Sequence, residues 1–436
     1  MKSIPQNLTI DFTDEQITSN GGSIFLARTA ERLGLPALLS AALRLKQRTR
    51  GASDTETLLA LIYSLAQGDG ALRDVDRLAA DATRVRLLDL GCVPDSRRAG
   101  EYLTRFDDAA VDRLRTVAHT VAGRLLGEVA AHARTRLGYV PVFIDGSAIE
   151  VSGNFEGAAV GYDDQLRYWL HSVFVDRLWI SQRLRPGNVH PADGWREQLE
   201  ETAALLAGQS AVWLRADNAY YNGELVDFCR EHTWDYSLSV TSDTYKQPLK
   251  KQLDELRADD WSWLNETQTE QAAWLAHRPA GWSDKQVYVV VRTLYEGAQK
   301  LLRPRHTFIL TNRTDLPPAE IVRRHRGKQG QENAQKGPLI DLDLHHPPCR
   351  RYLANQAFYT LGQLAQLLLV ALQYRVLPPA ARGHGLRTII RDLLRTPARL
   401  TRHARRCVLK FAKTAFRLDW LNHAADVLDT WARPPG

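Results

Sequence analysis

Two aspartates and a glutamate stand where divalent-metal chemistry would need them. Asp145 closes the apolar, β-branched run Tyr139-Val140-Pro141-Val142-Phe143-Ile144, and Asp217 closes a second, Ala211-Val212-Trp213-Leu214-Arg215-Ala216. A strand that ends in an acid sets its carboxylate at a sheet's edge, where a ligand can approach. Gly146 and Ala219 leave room beside each one. A lone strand-end Asp caps a turn about as often; two of them in sequence point to a shared site. Glu332 has Lys328 four residues before it and Lys336 four after. On a helix these three share a face. Alone, that spacing describes two exposed ion pairs. Beside two strand-end aspartates it reads as a metal carboxylate flanked by lysines that meet DNA phosphates.

Three carboxylates from separate elements suit phosphodiester chemistry. Two metal ions roughly 3.5–4 Å apart can activate the attacking oxygen and stabilise the leaving one. Hard Mg²⁺ takes oxygen ligands and needs only one or two protein carboxylates per ion. The expected cofactor is therefore a pair of Mg²⁺ ions, with Mn²⁺ a substitute, held by Asp145, Asp217 and Glu332.

The elements that must position these acids follow from periodicity. Runs at 139–145, 168–175 and 178–184 read as strands. A helix follows at 192–206, a strand at 211–217, a helix at 223–232 and a strand at 236–240. That order, three strands, helix, strand, helix, strand, is the order of an RNase H-like α/β core. The last helix, carrying Glu332, is delayed by a segment with strand-like pieces at 286–294 and 306–311 and four tryptophans, Trp261, Trp263, Trp274 and Trp282. The expected layout is a helical N-terminal DNA-binding domain (1–137) and a first core part (138–241). A β-rich insertion (242–312), a last core part with the Glu332 helix (313–375) and a basic helical C-terminal region (376–436) follow. Residues 8–12 read as a short opening strand, and Gly51-Ala52-Ser53-Asp54 offers capping residues for the helix that follows.

At 436 residues, 44% hydrophobic and 25% charged, the chain reads as globular with two or three domains. Its net charge of +7 is unevenly spread: residues 375–417 hold twelve Arg or Lys against one acid, Asp392, leaving −4 for the rest. Arg387, Arg391, Arg395, Arg399, Arg402, Arg406 and Lys410 recur at steps of three or four, the spacing of one helical face, with Pro397 breaking or kinking it. Such a single-sign stripe points to phosphate contact. Cys92, Cys229, Cys349 and Cys407 are scattered singly, which excludes a disulfide framework or zinc ribbon as the organising device and suits reduced cytoplasm. The apolar stretch 358–377 is interrupted by Gln363, Gln366, Gln373 and Arg375, and reads as a buried core helix with no membrane role.

With these residues in view, the sequence resembles the DDE transposases of bacterial insertion sequences. It resembles in particular the clan with a β-rich insertion before its glutamate and a Tyr-x₂-Arg-x₃-Glu motif. The resemblance rests on Phe143-Ile144-Asp145-Gly146-Ser147, Leu184-Arg185-Pro186-Gly187-Asn188 and Leu214-Arg215-Ala216-Asp217-Asn218-Ala219-Tyr220, and covers most of the chain. It implies Asp145, Asp217 and Glu332 as the catalytic, metal-binding acids. His325 stands where that motif has Tyr, Lys328 where it has Arg, and Leu339 where a further Lys would fall; Lys336 lies near one turn earlier. His325, Lys328 and Lys336 are thereby expected to contact DNA.

The implied activity is cleavage at inverted-repeat ends to free a 3′-OH, then strand transfer of that hydroxyl into target DNA. The implied partners are double-stranded DNA and a second copy of the chain in a synaptic complex, in the cytoplasm at the nucleoid. The resemblance also implies a tryptophan of the insertion stacking on a flipped base. A nuclease on the same core that does not join ends, and a catalytically silent DNA-binding protein, are the competing readings.

Overall fold

A computed structural model gives the architecture; it describes residues 11–432 except 14, 49, 162–163, 241–242, 298, 328–336 and 404–405. The expected strand at 8–12 falls largely outside that range, and Asp11 and Phe12 are not in a strand. The first strand described is β1 (Ile17–Thr18).

The N-terminal part is helical: α1 (Ser23–Arg32), α2 (Leu35–Ala42), α3 (Asp54–Leu65), α4 (Asp74–Ala80), α5 (Ala82–Leu87), α6 (Ser96–Leu103) and α7 (Asp108–Leu137). Local chemistry sets the boundaries. Ser53 and Glu56 form a reciprocal capping box at α3, each side chain accepting the other's backbone N–H (3.1 and 2.7 Å). Asp107 caps α7 by accepting from the Ala110 N–H (2.8 Å). Gly138 ends α7 at φ +81°, a conformation that glycine adopts without strain.

The core sheet then assembles from β2 (Val140–Glu150), β3 (Ala159–Val160), β4 (Leu166–Val175) and β5 (Leu178–Pro186). After α8 (Trp195–Leu205) come β6 (Val212–Ala216), α9 (Gly223–Glu231) and β7 (Asp235–Ser239). Strands β2, β4 and β5 form an antiparallel meander, while β2–β6 and β6–β7 are parallel. The spatial order β5-β4-β2-β6-β7 is the RNase H-like order that the element sequence predicted.

The insertion continues this sheet. After α10 (Asp243–Lys251) follow β8 (Ser262–Trp263), β9 (Glu270–His277), β10 (Gln286–Glu296) and β11 (Gln299–Thr311). β11 pairs antiparallel with β7, so the insertion strands extend the core sheet edge to edge. Both faces are covered. Val142, Ile144, Leu214 and Ala216 face the main core. Trp213, Val289 and Ile309 pack on the opposite face against Ile321 and Val322 of α11 (Pro318–Arg326).

The interrupted apolar stretch forms α12 (Tyr352–Arg375), buried from Ala354 to Tyr374 and packed on α7, α3 and β5. No helix among the described residues is long and apolar enough to cross a membrane.

The C-terminal region is helical at α13 (Leu386–Ile389), which runs into a π-turn at Ile390–Leu394, and at α14 (Leu418–Ala432). Between them the expected helical stripe is replaced by a hairpin, β12 (Ala398–His403) and β13 (Arg406–Phe411). Pro397 ends the helix. Beyond it, buried Ala398 and Leu400 alternate with exposed Arg399, a period of two. β1 completes this small sheet on the β12 side.

Candidate active site

Asp145 and Asp217 are brought together by strand register. The β2–β6 pairing runs in parallel from Val140↔Val212 to Ile144↔Ala216. The next position on each strand is an aspartate. Asp217 keeps extended backbone (φ −79°, ψ −171°), so the two acids sit level on strands roughly 4.8 Å apart. Asp217 lies just past the end of β6 and Asp145 midway along β2, which runs on to Glu150 against β4 and so corrects the expected strand end. In open α/β sheets the carboxyl end of a parallel strand, here that of β6, is where ligands bind.

Each carboxylate is anchored locally. Asp145 Oδ1 accepts from the Gly146 N–H (2.8 Å). Asp217 Oδ1 accepts from the Ala219 N–H (2.9 Å) and so starts the 3₁₀ turn Asn218–Tyr220. That turn puts the fully buried Tyr220 ring close enough to both acids for their charges to act on its phenol. Burial first, then Asp145 and Asp217, hold its pKa well above 10.

Behind Tyr220 stands His171, which no motif or spacing singles out in the sequence. Its ring stacks on Tyr220 (centroids 5.7 Å, 12°), with Nε2 bonded to the Tyr220 hydroxyl and Nδ1 to Gln198 Oε1. Gln198 Nε2 donates to the His171 carbonyl (3.3 Å) and Ser181 Oγ (3.2 Å), which aims its amide oxygen at the ring. An amide oxygen can only accept, so Nδ1 carries the proton and Nε2 accepts from the Tyr220 hydroxyl. Burial lowers the His171 pKa to about 4, and the imidazole is neutral at physiological pH.

A pH dependence of stability follows. The unfolded imidazole binds a proton below pH 6.5, the folded one only below about 4. Between those values the unfolded chain holds more protons, so acid favours unfolding, by up to roughly 3 kcal/mol for this one group. Urea midpoints measured from pH 7 to pH 4.5 should fall more steeply for the wild type than for His171→Gln. His119 shifts in the same direction, and leaves the variant some residual slope. Parallel curves would show that His171 does not set this dependence.

On the far side of β6, register continues the row. Arg215 pairs with Ser237 and Ala216 with Leu238, so Ser239 lies level with Asp217. His325, near the end of α11, bonds Ser237 Oγ through Nδ1 (3.1 Å) and Ser239 Oγ through Nε2 (3.0 Å). The ring is buried, which corrects the expectation of a DNA-facing His325. It pins α11 to the sheet beside the aspartates, helped by two arginines. Arg215 donates to the Arg324 carbonyl (2.7 Å), and the Arg324 guanidinium lies over the Tyr139 and Trp213 rings (4.7 and 4.8 Å).

The helix that leads toward Glu332 therefore ends on the face and at the level of the aspartate pair. Glu332, Lys328 and Lys336 themselves lie outside the described residues. Leu339 is buried in the main core, where a lysine would be expelled.

Among the described residues no group of three or more His, Cys, Asp or Glu is arranged to hold a metal ion. The described part of the site offers two level carboxylates on adjacent strands. Hard oxygen donors of this kind fit Mg²⁺ or Mn²⁺.

The predicted DNA-binding cations divide into two sets. Arg391 is paired with Asp392, Arg395 with Asp69 and the Gln67 carbonyl, and Arg399 with Glu15. These contacts tie the C-terminal region together and to the N-terminal helices. Arg387 is exposed on α13, and Arg402, Arg406 and Lys410 are exposed on the hairpin.

Of the insertion tryptophans, Trp261 lies under the Arg292 guanidinium (3.9 Å), Trp274 packs on the smaller core, and Trp282 stacks on Tyr221 (5.4 Å). Trp263, by contrast, is 43% exposed.

The sequence profile of the family described as Transposase DDE domain group 1 matches residues 3–432. A solved structure of piggyBac transposase in a synaptic complex with hairpin DNA aligns with 96% of this chain and 83% of that one, at 9% identity and a TM-score of 0.44. No curated protein matches the chain.

Proposed function

The chain belongs to the group 1 family of DDE-domain transposases, and from that premise we propose that it cleaves DNA at the inverted-repeat ends of an insertion sequence and joins the freed 3′-OH to target DNA. The observation that carries this reading is the level pair Asp145 and Asp217 on two adjacent parallel strands, where β6 ends beside the middle of β2, in an RNase H-ordered sheet. Glu332 is the third acid of the proposed site.

Two Mg²⁺ ions, bound by these three carboxylates, would supply charge neutralisation at the reacting phosphate and an activated oxygen nucleophile. The chain's own residues do the positioning. Gly146 and Ala219 N–H groups orient the carboxylates, and the Gln198–His171–Tyr220 chain fixes the turn after Asp217. His325, Arg215 and Arg324 hold the helix that leads to Glu332. Lys328 and Lys336 would meet phosphates on either side of Glu332. Trp263, the exposed one of the four insertion tryptophans, is the proposed residue to stack on a flipped base. Two DNA ends must be held at once, so the proposed working form is a dimer on duplex DNA, acting in the cytoplasm at the nucleoid.

The test is a strand-transfer reaction with labelled DNA ends taken from the flanks of the gene, a supercoiled target plasmid and Mg²⁺. Joined products are the expected result. Cleavage without joining would establish a nuclease, and binding without cleavage a silent DNA-binding protein; either overturns the proposal.

A further inference from the structure

The basic segment read as a helical stripe is a two-stranded ribbon, and that change of geometry alters what it can do. Residues 398–413 contain six Arg or Lys and no Asp or Glu. In the hairpin register Arg399 faces Lys410, Thr401 faces Val408 and His403 faces Arg406. Alternation places Arg399, Thr401, Arg406, Val408 and Lys410 on one face of the ribbon. The opposite face carries Ala398, Leu400, Leu409 and Phe411, with Arg402 and Cys407 toward its tip, and its base is bolted to the N-terminal helices. Phe411 stacks on Phe25 of α1 (6.5 Å, 12°), and Gly21 is packed so closely on Ala398 and Phe411 that a Cβ there would lie 2.4 Å from Ala398. The Gly21 N–H donates to the Thr396 carbonyl and the Leu400 N–H to the Gln16 carbonyl (both 2.8 Å).

The ribbon is thus held rigidly at its base and presents its cationic face outward. On that face Arg399 is balanced by Glu15, while Arg406 and Lys410, and the following Lys413, are exposed without an ion pair among the described residues. Val408 is 39% exposed between them, an apolar group flanked by cations. A major groove about 12 Å wide admits a two-stranded β-ribbon as well as it admits a helix, and offers thymine methyls and guanine N7 atoms to such a face.

We propose that the β12–β13 hairpin enters the major groove of duplex DNA with its Thr401–Val408 face toward the bases and Arg406 and Lys410 toward the groove and its phosphates. This rests on the reading of the chain as a DNA-acting enzyme, but it concerns binding and is tested without cleavage. The full chain in metal-free buffer is titrated against a fluorescein-labelled duplex of mixed sequence and against the same single strand. Both titrations are repeated with Arg406→Glu/Lys410→Glu. The double variant should lose duplex affinity by tenfold or more, and its log–log salt slope should become shallower by about two, since each phosphate contact contributes about 0.9.

Dimethyl sulfate, which methylates guanine N7 in the major groove, should be blocked by the wild type and admitted again by the variant. Unchanged affinity and slope would overturn the proposal. So would weakened binding with no N7 protection, which would put the ribbon on the backbone alone. A wild-type preference for the single strand would overturn it as well. If the hairpin instead pairs along β13 with a second copy, the variant would change sedimentation mass and leave duplex affinity intact, which also overturns it. A chain that protects N7 through this hairpin but never cleaves would refute the proposed activity and leave the ribbon standing.

Discussion

Asp217→Asn is expected to bind DNA as the wild type does, unfold at nearly the wild-type temperature, and cleave at least about 10³-fold more slowly. Asparagine keeps the Oδ1 that accepts the Ala219 N–H, so the turn at Asn218–Tyr220 and the Tyr220 ring stay in place. Only the charge is removed, and with it one anionic ligand for the metal pair. Losing about 4 kcal/mol of transition-state stabilisation corresponds to that rate. Asp145→Asn should behave alike, since its amide oxygen can still accept from Gly146. Asp217→Ala differs: it also removes a cap, with a further loss of about 1 kcal/mol in stability. Cleavage of a labelled DNA end in Mg²⁺, anisotropy with the same DNA, and calorimetric titration of Mn²⁺ separate the three effects. Wild-type cleavage or undiminished Mn²⁺ binding by Asp217→Asn would remove this residue from the proposed metal site.

The aspartate pair was legible because two signals coincided. Apolar runs long enough for buried parallel strands each ended on an acid, and the elements between them came in a known order. Register did the rest, and register is a consequence of which face must be buried. The partners behind the pair were not legible. His171 stands in an apolar strand with nothing in its neighbourhood to mark it, and it acquires a role only when β4 carries it beneath Tyr220. His325 misled for a different reason. Its place in the Tyr-x₂-Arg-x₃-Glu motif pointed to DNA, and only the placement of Ser237 and Ser239 on the adjoining strand shows where its two nitrogens are satisfied.

The C-terminal stripe shows the limit of periodicity. Arginines three and four apart fit one helical face, but the apolar residues between them, Ala398, Leu400, Leu409 and Phe411, alternate in pairs. It is burial of the apolar set that decides the element, since exposed charges fit either backbone. Pro397 marked the boundary at which the period changes.

Gln363→Leu should destabilise the chain by about 2–4 kcal/mol, although it makes an apolar helix more uniformly apolar. The reason lies at the edge of the core sheet. β5 pairs with β4 on one side and has α12, not another strand, on the other. Pairing along β4–β5 slips at a bulge, where Val173 faces Ser181 and Phe174 faces Trp179, leaving Ile180 unmatched. Gln363 Nε2 donates to both carbonyls there, Trp179 (3.0 Å) and Ile180 (2.7 Å). Gln366 exchanges two bonds with the same edge, accepting from the Trp179 N–H and donating to the Arg177 carbonyl, and Gln356 accepts from the Leu184 N–H. The glutamines that interrupt α12 thus stand in for a missing strand. Leucine at 363 would leave two buried carbonyls unpaired, at about 1–3 kcal/mol each, offset in part by its better burial. Because β4 lies between β5 and the strand that carries Asp145, loosening this edge should also slow cleavage, whereas Gln373→Leu, at the far end of α12, should unfold earlier without that extra loss. Equal urea midpoints for Gln363→Leu and wild type would mean that these carbonyls find other partners, and that α12 packs on β5 by its apolar surface alone.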